Sequence, residues 1–264
     1  MAGQPSIKLY TDSTPNGIKI SMALEELGLP YEVEHIDITT NRQKEPWFLE
    51  INPNGRIPAI TDTIPDGQQV RVFEGGSILQ YLTERYDPEH KLSFRKGTRD
   101  YWESWRQVFG LLVCCLNLRL TLNFNLGIGP MHGQAAHFYR YAPTKIQYGI
   151  DRYINETRRL YRVIDSELAK SKSGFLVADH ISIADIAVLS WVIYAEFVSL
   201  DMNEFPFLQK WERMMSARPG INKGFHVPKP LMFKIREGDP EVFAQFTNER
   251  KDWILKGMEE AKKR

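Results

Sequence analysis

The sequence predicts an α/β N-terminal domain followed by an all-α, helical C-terminal domain. Strand-like and helix-like segments alternate over residues 1–88, which is the pattern of a domain built around a βαβ unit. From about Gly97 the pattern changes to long helical segments rich in large apolar and aromatic residues. A length of 264 residues also fits two domains at about 150 residues each. We therefore assign a sheet domain to 1–88, a helical domain to 97–225 and a C-terminal extension to 226–264.

The first domain opens with a βαβ unit. Alternating apolar residues predict a strand over 6–11. The segment from Asp12 to Gly17 contains several helix-capping side chains, and its Pro15 suits a first helical position. That helix is predicted to stop at Gly28, and a second strand follows from Tyr31 to Ile38. Strand, helix and strand within about 30 residues predict that the first two strands are parallel.

A short helical turn, a hairpin and a helix complete the first domain. The predicted elements are a turn at Trp47–Ile51, a strand beginning at Pro58, a return strand at Val70–Phe73 after an Asp66-Gly67 turn, and a helix leading from Glu74-Gly75-Gly76-Ser77 to near Tyr86. A strand that begins at a proline suits a cis peptide bond, here between Ile57 and Pro58. Asp87-Pro88 then closes the domain.

The helical domain contains one clear capping motif. Ser182-Ile183-Ala184-Asp185 precedes an apolar run and matches a capping box, in which a hydroxyl and a carboxylate satisfy backbone N–H groups. We interpret this motif as structural. After Gly220 the periodicity is lost, and Pro228, Pro230 and a basic end at 259–264 predict a tail draped over the protein.

Charge and composition exclude several kinds of function. The chain has 34 lysines and arginines against 33 acidic residues, a net charge of +1 that gives no reason to expect a nucleic-acid partner. The longest apolar stretch, Phe109 to Leu118, is about half of the roughly 20 residues that span a bilayer. The N-terminus has neither a signal nor a transit pattern. We therefore expect a cytoplasmic protein without nucleic-acid or membrane partners.

Cysteine and histidine content argues against a metal site. The two cysteines, Cys114 and Cys115, are neighbours, so they cannot build a disulfide framework or a four-ligand zinc site. We interpret them as small buried apolar residues. The six histidines show no ligand spacing, and no metal is expected.

Three motifs carry a resemblance to a known family. They are Thr14-Pro15-Asn16-Gly17, Asn52-Pro53-Asn54-Gly55-Arg56-Ile57-Pro58-Ala59 and Gly129-Pro130-Met131-His132-Gly133-Gln134. With the capping box, they resemble the cytosolic glutathione transferases, in particular the Nu class and its fungal relatives, which include a nitrogen-regulatory, prion-forming homologue. The resemblance covers most of the chain. It implies the glutathione transferase fold, in which a thioredoxin-like domain precedes the helical domain, and assembly as a homodimer.

The resemblance also implies where glutathione binds. Ile57, preceding cis Pro58, would pair its main chain with the cysteinyl backbone of glutathione, like an added strand; the alternative is that Pro58 only forms a tight turn. Glu74 would meet the ammonium of the γ-glutamyl end. In the family this glutamate is usually followed by a serine that holds the γ-glutamyl carboxylate, but here it is followed by Gly75. The lost hydrogen bond is expected to weaken binding by roughly 1.5–3 kcal/mol, unless Ser77 or a water substitutes.

The chemistry of such a site needs a thiolate, because a thiol with a reference pKa of about 8.5 is a poor nucleophile. The loop from Thr11 to Asn16 has no cysteine, so the sulfur must come from glutathione. Thr14 can offer a hydroxyl and Asn16 an amide at a helix N-terminus, where the dipole favours an anion. Both match Nu-class active-site positions, and the alternative is that both only cap the helix. Ser13 and Tyr10 are the other candidates.

Arg152 matches a Nu-class arginine associated with a second glutathione, and the alternative is a solvated helix charge. A second glutathione, or the oxidised form, favours thiol–disulfide exchange without a protein sulfur. The sequence therefore predicts a glutathione-dependent disulfide-bond reductase, a transferase acting on small electrophiles, or both. The alternative is a non-catalytic glutathione-binding regulatory protein that acts through protein–protein interaction. The chain lacks the asparagine-rich N-terminal extension of the prion-forming relative, which favours the enzyme.

One segment departs from the family pattern. Between Gln107 and Pro130 the chain is longer by roughly 17 residues, too many for a routine connection, and the extra residues at 108–126 are strongly apolar. If exposed, they would form a large apolar patch. A helical extension, a dimer contact and a translated intron from a faulty gene model are the three interpretations, and we favour the last.

Overall fold

The first part of the chain folds into a four-stranded mixed sheet. The computed structural model describes residues 6–109, 125–231 and 240–262. The strands are β1 (Ile7–Thr11), β2 (Tyr31–His35), β3 (Ala59–Thr63) and β4 (Gln69–Phe73), in the order β2-β1-β3-β4 across the sheet. β1 runs parallel to β2 and antiparallel to β3, while β3 and β4 form an antiparallel hairpin. The predicted parallel pair and the predicted hairpin are both confirmed.

Helices make up most of the remaining structure. In the first part of the chain they are α1 (Pro15–Leu27), α2 (Pro46–Ile51) and α3 (Gly75–Tyr86). The later helices are α4 (Arg99–Phe109), α5 (Asn125–Ala136), α6 (Gln147–Lys170), α7 (Ile183–Val192), α8 (Pro206–Ser216), α9 (Pro219–Gly224) and α10 (Pro240–Lys262). A π-helical turn, His137–Tyr141, follows α5. In the described ranges no strand follows β4, and the predicted combination of a thioredoxin-like sheet with a helical region is confirmed.

The helix after β1 has the predicted boundaries. Thr14 caps α1, because its side-chain oxygen accepts a hydrogen bond from the Gly17 N–H at 3.1 Å. Pro15 occupies the first turn, where its missing N–H would have no partner within the helix. Gly28 ends the helix in the left-handed conformation at φ 67°.

The second strand is shorter than predicted. β2 ends at His35 and does not reach Ile38. The Asp37 carboxylate accepts a hydrogen bond from the Thr39 N–H at 3.0 Å and starts a 3-10 turn there. An aspartate that binds the backbone two residues ahead favours a turn over an extended strand.

The later elements of the sheet region begin where the sequence predicts. The peptide bond between Ile57 and Pro58 is cis, and β3 starts directly after it. α3 begins at Gly75 and ends at Tyr86. These two starts place the segment before β3 and the beginning of α3 near the carboxyl end of β1.

A shared apolar core joins the sheet to the later helices. α1 belongs to this core and packs against α3, α7 and α9. Two polar contacts reinforce the packing against α9: the Arg218 guanidinium pairs with the Glu26 carboxylate at 2.7 Å, and the Ser21 hydroxyl donates to the Gly224 carbonyl at 2.7 Å. The helical part therefore fixes the position of α1, including the first turn of that helix, which follows β1.

The Ser182 motif forms the predicted capping box. The Ser182 hydroxyl oxygen accepts a hydrogen bond from the Ala184 N–H, and the Asp185 carboxylate accepts one from the Ser182 N–H at 3.0 Å. Asp185 is fully buried and also accepts from the Leu176 N–H at 2.9 Å and the Trp211 indole N–H at 3.1 Å. It therefore ties the start of α7 to the preceding loop and to α8.

The predicted loss of periodicity after Gly220 is wrong for much of the described tail. α9 and α10 are helical there, and each begins at a proline, Pro219 and Pro240, where a helix tolerates the missing N–H. α10 packs Phe246 against the core, and its Trp253 indole N–H donates to the Asn41 side chain at 2.9 Å. The tail is draped over the earlier part of the chain, but as a helix.

The apolar segment at 108–126 falls largely outside the described residues. Positions 110–124, with Cys114 and Cys115, belong to the undescribed part, so the three interpretations of this segment stay predictions. Among the helices that the structure describes, none has both the length and the apolar character that crossing a membrane requires. The described ranges also contain no group of three or more side chains that could together hold a metal ion.

Candidate functional site

A cleft of about 370 Å³ opens between the sheet region and the helical region. One wall comes from the start of α1, the segment before β3 and the start of α3, and the other comes from α5 and α7. Five of the seven predicted site residues line the cleft: Asn16, Ile57, Pro58, Glu74 and Gly75. Thr14 and Arg152 are not in its lining. The structure therefore brings most of the predicted site together.

Close packing of the loop between β1 and α1 fixes the position of Asn16. A Cβ atom added at Gly17 would lie 2.0 Å from the Asp12 carbonyl oxygen and 2.4 Å from the Thr11 hydroxyl, so this position requires glycine. The buried Asp12 carboxylate accepts a hydrogen bond from the Ser13 N–H at 2.8 Å. The loop consequently keeps a compact conformation that presents Asn16 to the cleft.

Thr14 and Asn16 have different positions relative to the cleft. The Thr14 hydroxyl oxygen accepts the capping hydrogen bond from Gly17, which leaves the hydroxyl hydrogen for another acceptor. Asn16 is exposed and lies in the first turn of α1, where the helix dipole favours an anion. Thr14 is thus a helix cap, and Asn16 is a polar group on the cleft wall. Their catalytic roles stay predictions.

The other two candidates near β1 are engaged elsewhere. The Ser13 hydroxyl donates to the Lys229 carbonyl at 2.7 Å. The Tyr10 ring packs against Trp47 and Phe48 in a separate apolar cluster. Neither residue lines the cleft, and Thr14 does not line it either, so among these four candidates the geometry favours Asn16.

The segment before β3 presents main-chain groups to the cleft. The buried Asn52 side chain donates to the Arg56 carbonyl at 2.7 Å and accepts from the Asn54 N–H at 3.0 Å, which holds the turn in place. Ile57 and Pro58 follow this turn and form part of the cleft wall. Within the described part of the chain, the main chain of Ile57 has no hydrogen-bond partner. It is therefore available to an extended ligand that adds to the sheet edge.

Glu74 has a strained backbone at the start of α3. Its φ of 70° and ψ of 123° lie in a region that is costly for any residue with a Cβ. Its side chain is exposed, lines the cleft and makes no capping hydrogen bond to the helix. Strained residues of this kind cluster at active sites and ligand-binding sites. Here it holds a carboxylate beside the first main-chain N–H groups of α3, which can bind an anion.

Replacing Glu74 with glycine is expected to raise the free energy of unfolding by about 1 kcal/mol, because the relieved strain exceeds the larger chain entropy of glycine. The same change is expected to weaken binding of the predicted glutathione ligand, since the carboxylate is lost. Urea unfolding and calorimetric titration measure the two effects. Glu84→Gly, inside α3, is the matched control and should lower the free energy of unfolding by about 1 kcal/mol. Equal destabilisation by both variants would contradict strain at Glu74.

Lys19 lines the cleft, although no sequence motif identified it. It lies on α1 with 1% of its surface exposed. Burial lowers the pKa of its ammonium to about 7, and the charge of Glu74 opposes this shift. A signal was present in the sequence, since Lys19 stands between Ile18 and Ile20 in an apolar part of the helix. A charged residue in such a place breaks the local pattern, and such breaks are expected at functional sites.

The helical wall of the cleft is shaped by close contacts around an indole ring. Trp191 lies against α5, because Gly129 has no side chain to hold it away; a Cβ there would be 3.2 Å from the ring. The buried His132 imidazole contacts the Tyr194 carbonyl at 3.0 Å, and burial lowers its pKa to about 4. His132 is therefore neutral at pH 7. The motif that begins at Gly129 shapes this wall.

Arg152 is separated from the other predicted site residues. It lies in the first part of α6 with an exposed side chain. Its charge acts on Glu156, about one turn further along the helix, and lowers the pKa of that carboxyl together with the larger effect of Arg159. The association of Arg152 with a second glutathione stays a prediction.

Family models match both parts of the chain. The model of the glutathione S-transferase N-terminal domain matches residues 14–85. The model of the glutathione S-transferase C-terminal domain matches residues 133–219. The first match spans the residues of the cleft that come from the sheet region, and the second contains the capping box.

Individual relatives align over most of the chain. The disulfide-bond oxidoreductase YfcG of Escherichia coli is 38% identical over 221 residues, which is 82% of this chain and 93% of the relative. The solved glutathione transferase homologue from Lodderomyces elongisporus, which has two glutathione molecules per subunit, is 40% identical with a TM-score of 0.75, over 84% of this chain and 99% of that one. The glutathione transferase URE2P6 from Phanerochaete chrysosporium, solved with oxidised glutathione, is 36% identical with a TM-score of 0.72, over 83% and 94% of the two chains.

Proposed function

The chain belongs to the glutathione S-transferase family, and we propose that it is an enzyme that binds glutathione in the cleft and activates it as a thiolate. The proposed reactions are thiol–disulfide exchange and conjugation to small electrophiles. The observation that carries this proposal is the convergence of Asn16, Ile57 and Glu74 on one cleft. The relatives support it, since one is named a disulfide-bond oxidoreductase and two were solved with reduced or oxidised glutathione.

The cysteinyl and γ-glutamyl residues of glutathione each have a partner of suitable chemistry in the cleft. The main chain of Ile57 pairs with the cysteinyl backbone in the manner of an added strand. The Glu74 carboxylate attracts the ammonium of the γ-glutamyl end, and the first N–H groups of α3 attract its carboxylate. This orientation directs the cysteinyl sulfur toward the start of α1, where Asn16 lies.

Asn16 then donates its amide N–H to the sulfur anion, and the Thr14 hydroxyl supplies a second donor. A hydrogen bond to a charged acceptor contributes about 1.5–3 kcal/mol. One or two such bonds are enough to lower the thiol pKa by about two units from its reference value of about 8.5. The thiolate is therefore the main form near neutral pH, and no sulfur of the protein takes part.

The proposed disulfide exchange proceeds in two attacks. The glutathione thiolate attacks one sulfur of the substrate disulfide, forms a mixed disulfide and releases the other sulfur as a thiolate, which takes up a proton. A second glutathione thiolate attacks the mixed disulfide, forms oxidised glutathione and releases the remaining substrate thiol. Two electrons pass from two glutathione molecules to the substrate. With an electrophile, the same thiolate forms a carbon–sulfur bond and displaces the leaving group.

A finer assignment rests on the motif at the start of α1. Thr14-Pro15-Asn16-Gly17 supports membership of the Nu class and its fungal relatives. The same resemblance supports a homodimer, with Arg152 holding a second glutathione. Sedimentation equilibrium of the purified protein tests the dimer, and a monomer at micromolar concentration would contradict it.

The activity test follows both reactions with purified protein. One assay couples glutathione to reduction of hydroxyethyl disulfide, and the other follows conjugation of glutathione to chlorodinitrobenzene. We expect turnover in at least one assay, and the Cys114→Ser/Cys115→Ser double variant should keep kcat/KM within about twofold, because the reactive sulfur comes from glutathione. Loss of turnover in the double variant would indicate a protein thiol. Absence of turnover in both assays would contradict the enzyme and favour the regulatory alternative.

A further inference from the structure

Lys19 is a buried cation on the cleft wall. Its side chain is 1% exposed and lines the cleft. Within the part of the chain that the structure describes, its ammonium takes part in no hydrogen bond or ion pair. Burying an ammonium without a partner lowers stability, and protein cores rarely contain one. A bound anion would supply the missing partner.

The ammonium lies next to the start of α3. A Cβ atom built at Gly75 would be 3.6 Å from the Lys19 Nζ and 3.5 Å from its Cδ. The first N–H groups of α3, which begins at Gly75, have no acceptor within the helix. A cation and a helix N-terminus therefore face the same space, and both favour a negatively charged group there.

Glu74 gives this end of the cleft an opposite charge. Its carboxylate lines the cleft, and its charge acts on Lys19 without forming an ion pair. Arg56, in the segment before β3, is the third charged residue on the wall. An acid and a base that face one space without a direct contact are complementary to a ligand with an ammonium and a carboxylate on the same carbon.

We propose that Lys19 binds the α-carboxylate at the γ-glutamyl end of glutathione and replaces the serine hydroxyl that Gly75 lacks. The inference rests on the proposed function, because it takes glutathione as the ligand. The weaker binding expected from Gly75 holds only if no other donor reaches the carboxylate. Lys19 reaches this place from α1, and its charge makes it a stronger partner for a carboxylate than a neutral hydroxyl.

Binding of this carboxylate should take up protons. Burial lowers the pKa of Lys19 to about 7, against the opposing effect of Glu74. A carboxylate that pairs with the ammonium raises that pKa. Near pH 7.5 the free protein therefore has Lys19 mostly uncharged, and the complex has it mostly charged, so that binding consumes about half a proton or more.

The test uses two ligands that differ in the carboxylate alone. S-methylglutathione has no ionisable thiol, and its analogue with 4-aminobutyrate in place of the γ-glutamyl group lacks only the α-carboxylate. Calorimetric titrations near pH 7.5, in two buffers of different ionisation enthalpy, give affinity and proton uptake. They are carried out on the wild type, on Lys19→Met and on the control Lys223→Met, which removes an exposed lysine paired with Glu25 near the other end of α1.

We expect Lys19→Met to weaken S-methylglutathione binding at least about tenfold, to abolish proton uptake and to leave the affinity for the analogue unchanged. Its Tm should not fall, because methionine replaces a buried amine that has no partner in the free protein. Lys223→Met should change neither affinity. Equal S-methylglutathione affinity in wild type and Lys19→Met overturns the proposal, and so does equal weakening for both ligands. Absence of proton uptake by the wild type overturns it without any variant, whereas no binding of S-methylglutathione by the wild type overturns the proposed function as well.

Discussion

Replacing Asn16 with alanine is expected to lower kcat/KM for glutathione-dependent turnover roughly 20-fold at neutral pH, because the thiolate fraction of bound glutathione falls by about that factor. Asn16 lies on the cleft wall in the first turn of α1, and it is the proposed donor to the glutathione sulfur. The hydrogen bond exists only when the sulfur is charged, so its loss raises the thiol pKa and reduces the thiolate fraction. Steady-state kinetics with a disulfide or an electrophile measures the effect.

The effect of Asn16→Ala should shrink as the pH rises. In the wild type the thiol pKa is held below its reference value of about 8.5, and in the variant it returns toward that value. Above about pH 9 both proteins hold ionised glutathione, so their rates converge. The rising limb of kcat/KM for the disulfide or electrophile, measured against pH at saturating glutathione, should therefore move to higher pH in the variant.

Three further variants separate catalysis from folding. Asn54→Ala, an exposed asparagine outside the cleft lining, should keep kcat/KM within about twofold. Thr14→Ser keeps both the cap and the hydroxyl, whereas Thr14→Ala removes both. A pH-independent loss in Asn16→Ala, or a kcat/KM within about threefold of the wild type, would contradict the assignment of Asn16.

Asp185→Ala is expected to lower the free energy of unfolding by about 3–5 kcal/mol. The buried carboxylate accepts hydrogen bonds from the Leu176 N–H, the Ser182 N–H and hydroxyl, and the Trp211 indole N–H. Alanine leaves these donors without their acceptor in the interior and opens a cavity. The change also removes half of the capping box at α7. Urea unfolding at a fixed protein concentration measures the loss.

Two control variants separate the contribution of the Asp185 carboxylate to stability from that of the capping hydroxyl and from that of an exposed aspartate. Ser182→Ala removes the capping hydroxyl alone and should lower the free energy of unfolding by only about 1 kcal/mol. Asp252→Ala, on the exposed face of α10, should change it by less than about 0.5 kcal/mol. A loss in Asp185→Ala no larger than that in Ser182→Ala would contradict the view that the carboxylate links α7 to α8 and the preceding loop.

Elements whose ends depend on neighbouring side chains could be predicted from the sequence. Thr14, Pro15 and Gly28 set the limits of α1 through a capping hydroxyl, a missing N–H and a left-handed stop. Ser182 and Asp185 set the start of α7 in the same way. Most of the cleft was also predictable, because its residues come from short motifs that hold tight turns.

Features that depend on packing between distant segments could not be predicted. Lys19 is buried because α1 packs against α3, α7 and α9. Its apolar neighbours in sequence mark a break in the pattern, but they do not indicate which helices cover it. The helix α10 is stabilised in part by Phe246 and Trp253, whose partners lie far away in the chain. The same helix begins at Pro240, a residue type that breaks a helix interior but is tolerated in a first turn. Burial and long-range contacts decided each of these cases.

The proposed role of Asn16 is tested most directly by the ionisation of the glutathione thiol in the cleft. Ultraviolet difference absorbance of the thiolate, followed against pH with glutathione bound to the wild type, reports its pKa. We predict a value about two units below the reference value of about 8.5, and a return toward that reference in Asn16→Ala. A bound thiol that titrates like free glutathione would contradict the claim that the first turn of α1 stabilises the sulfur anion.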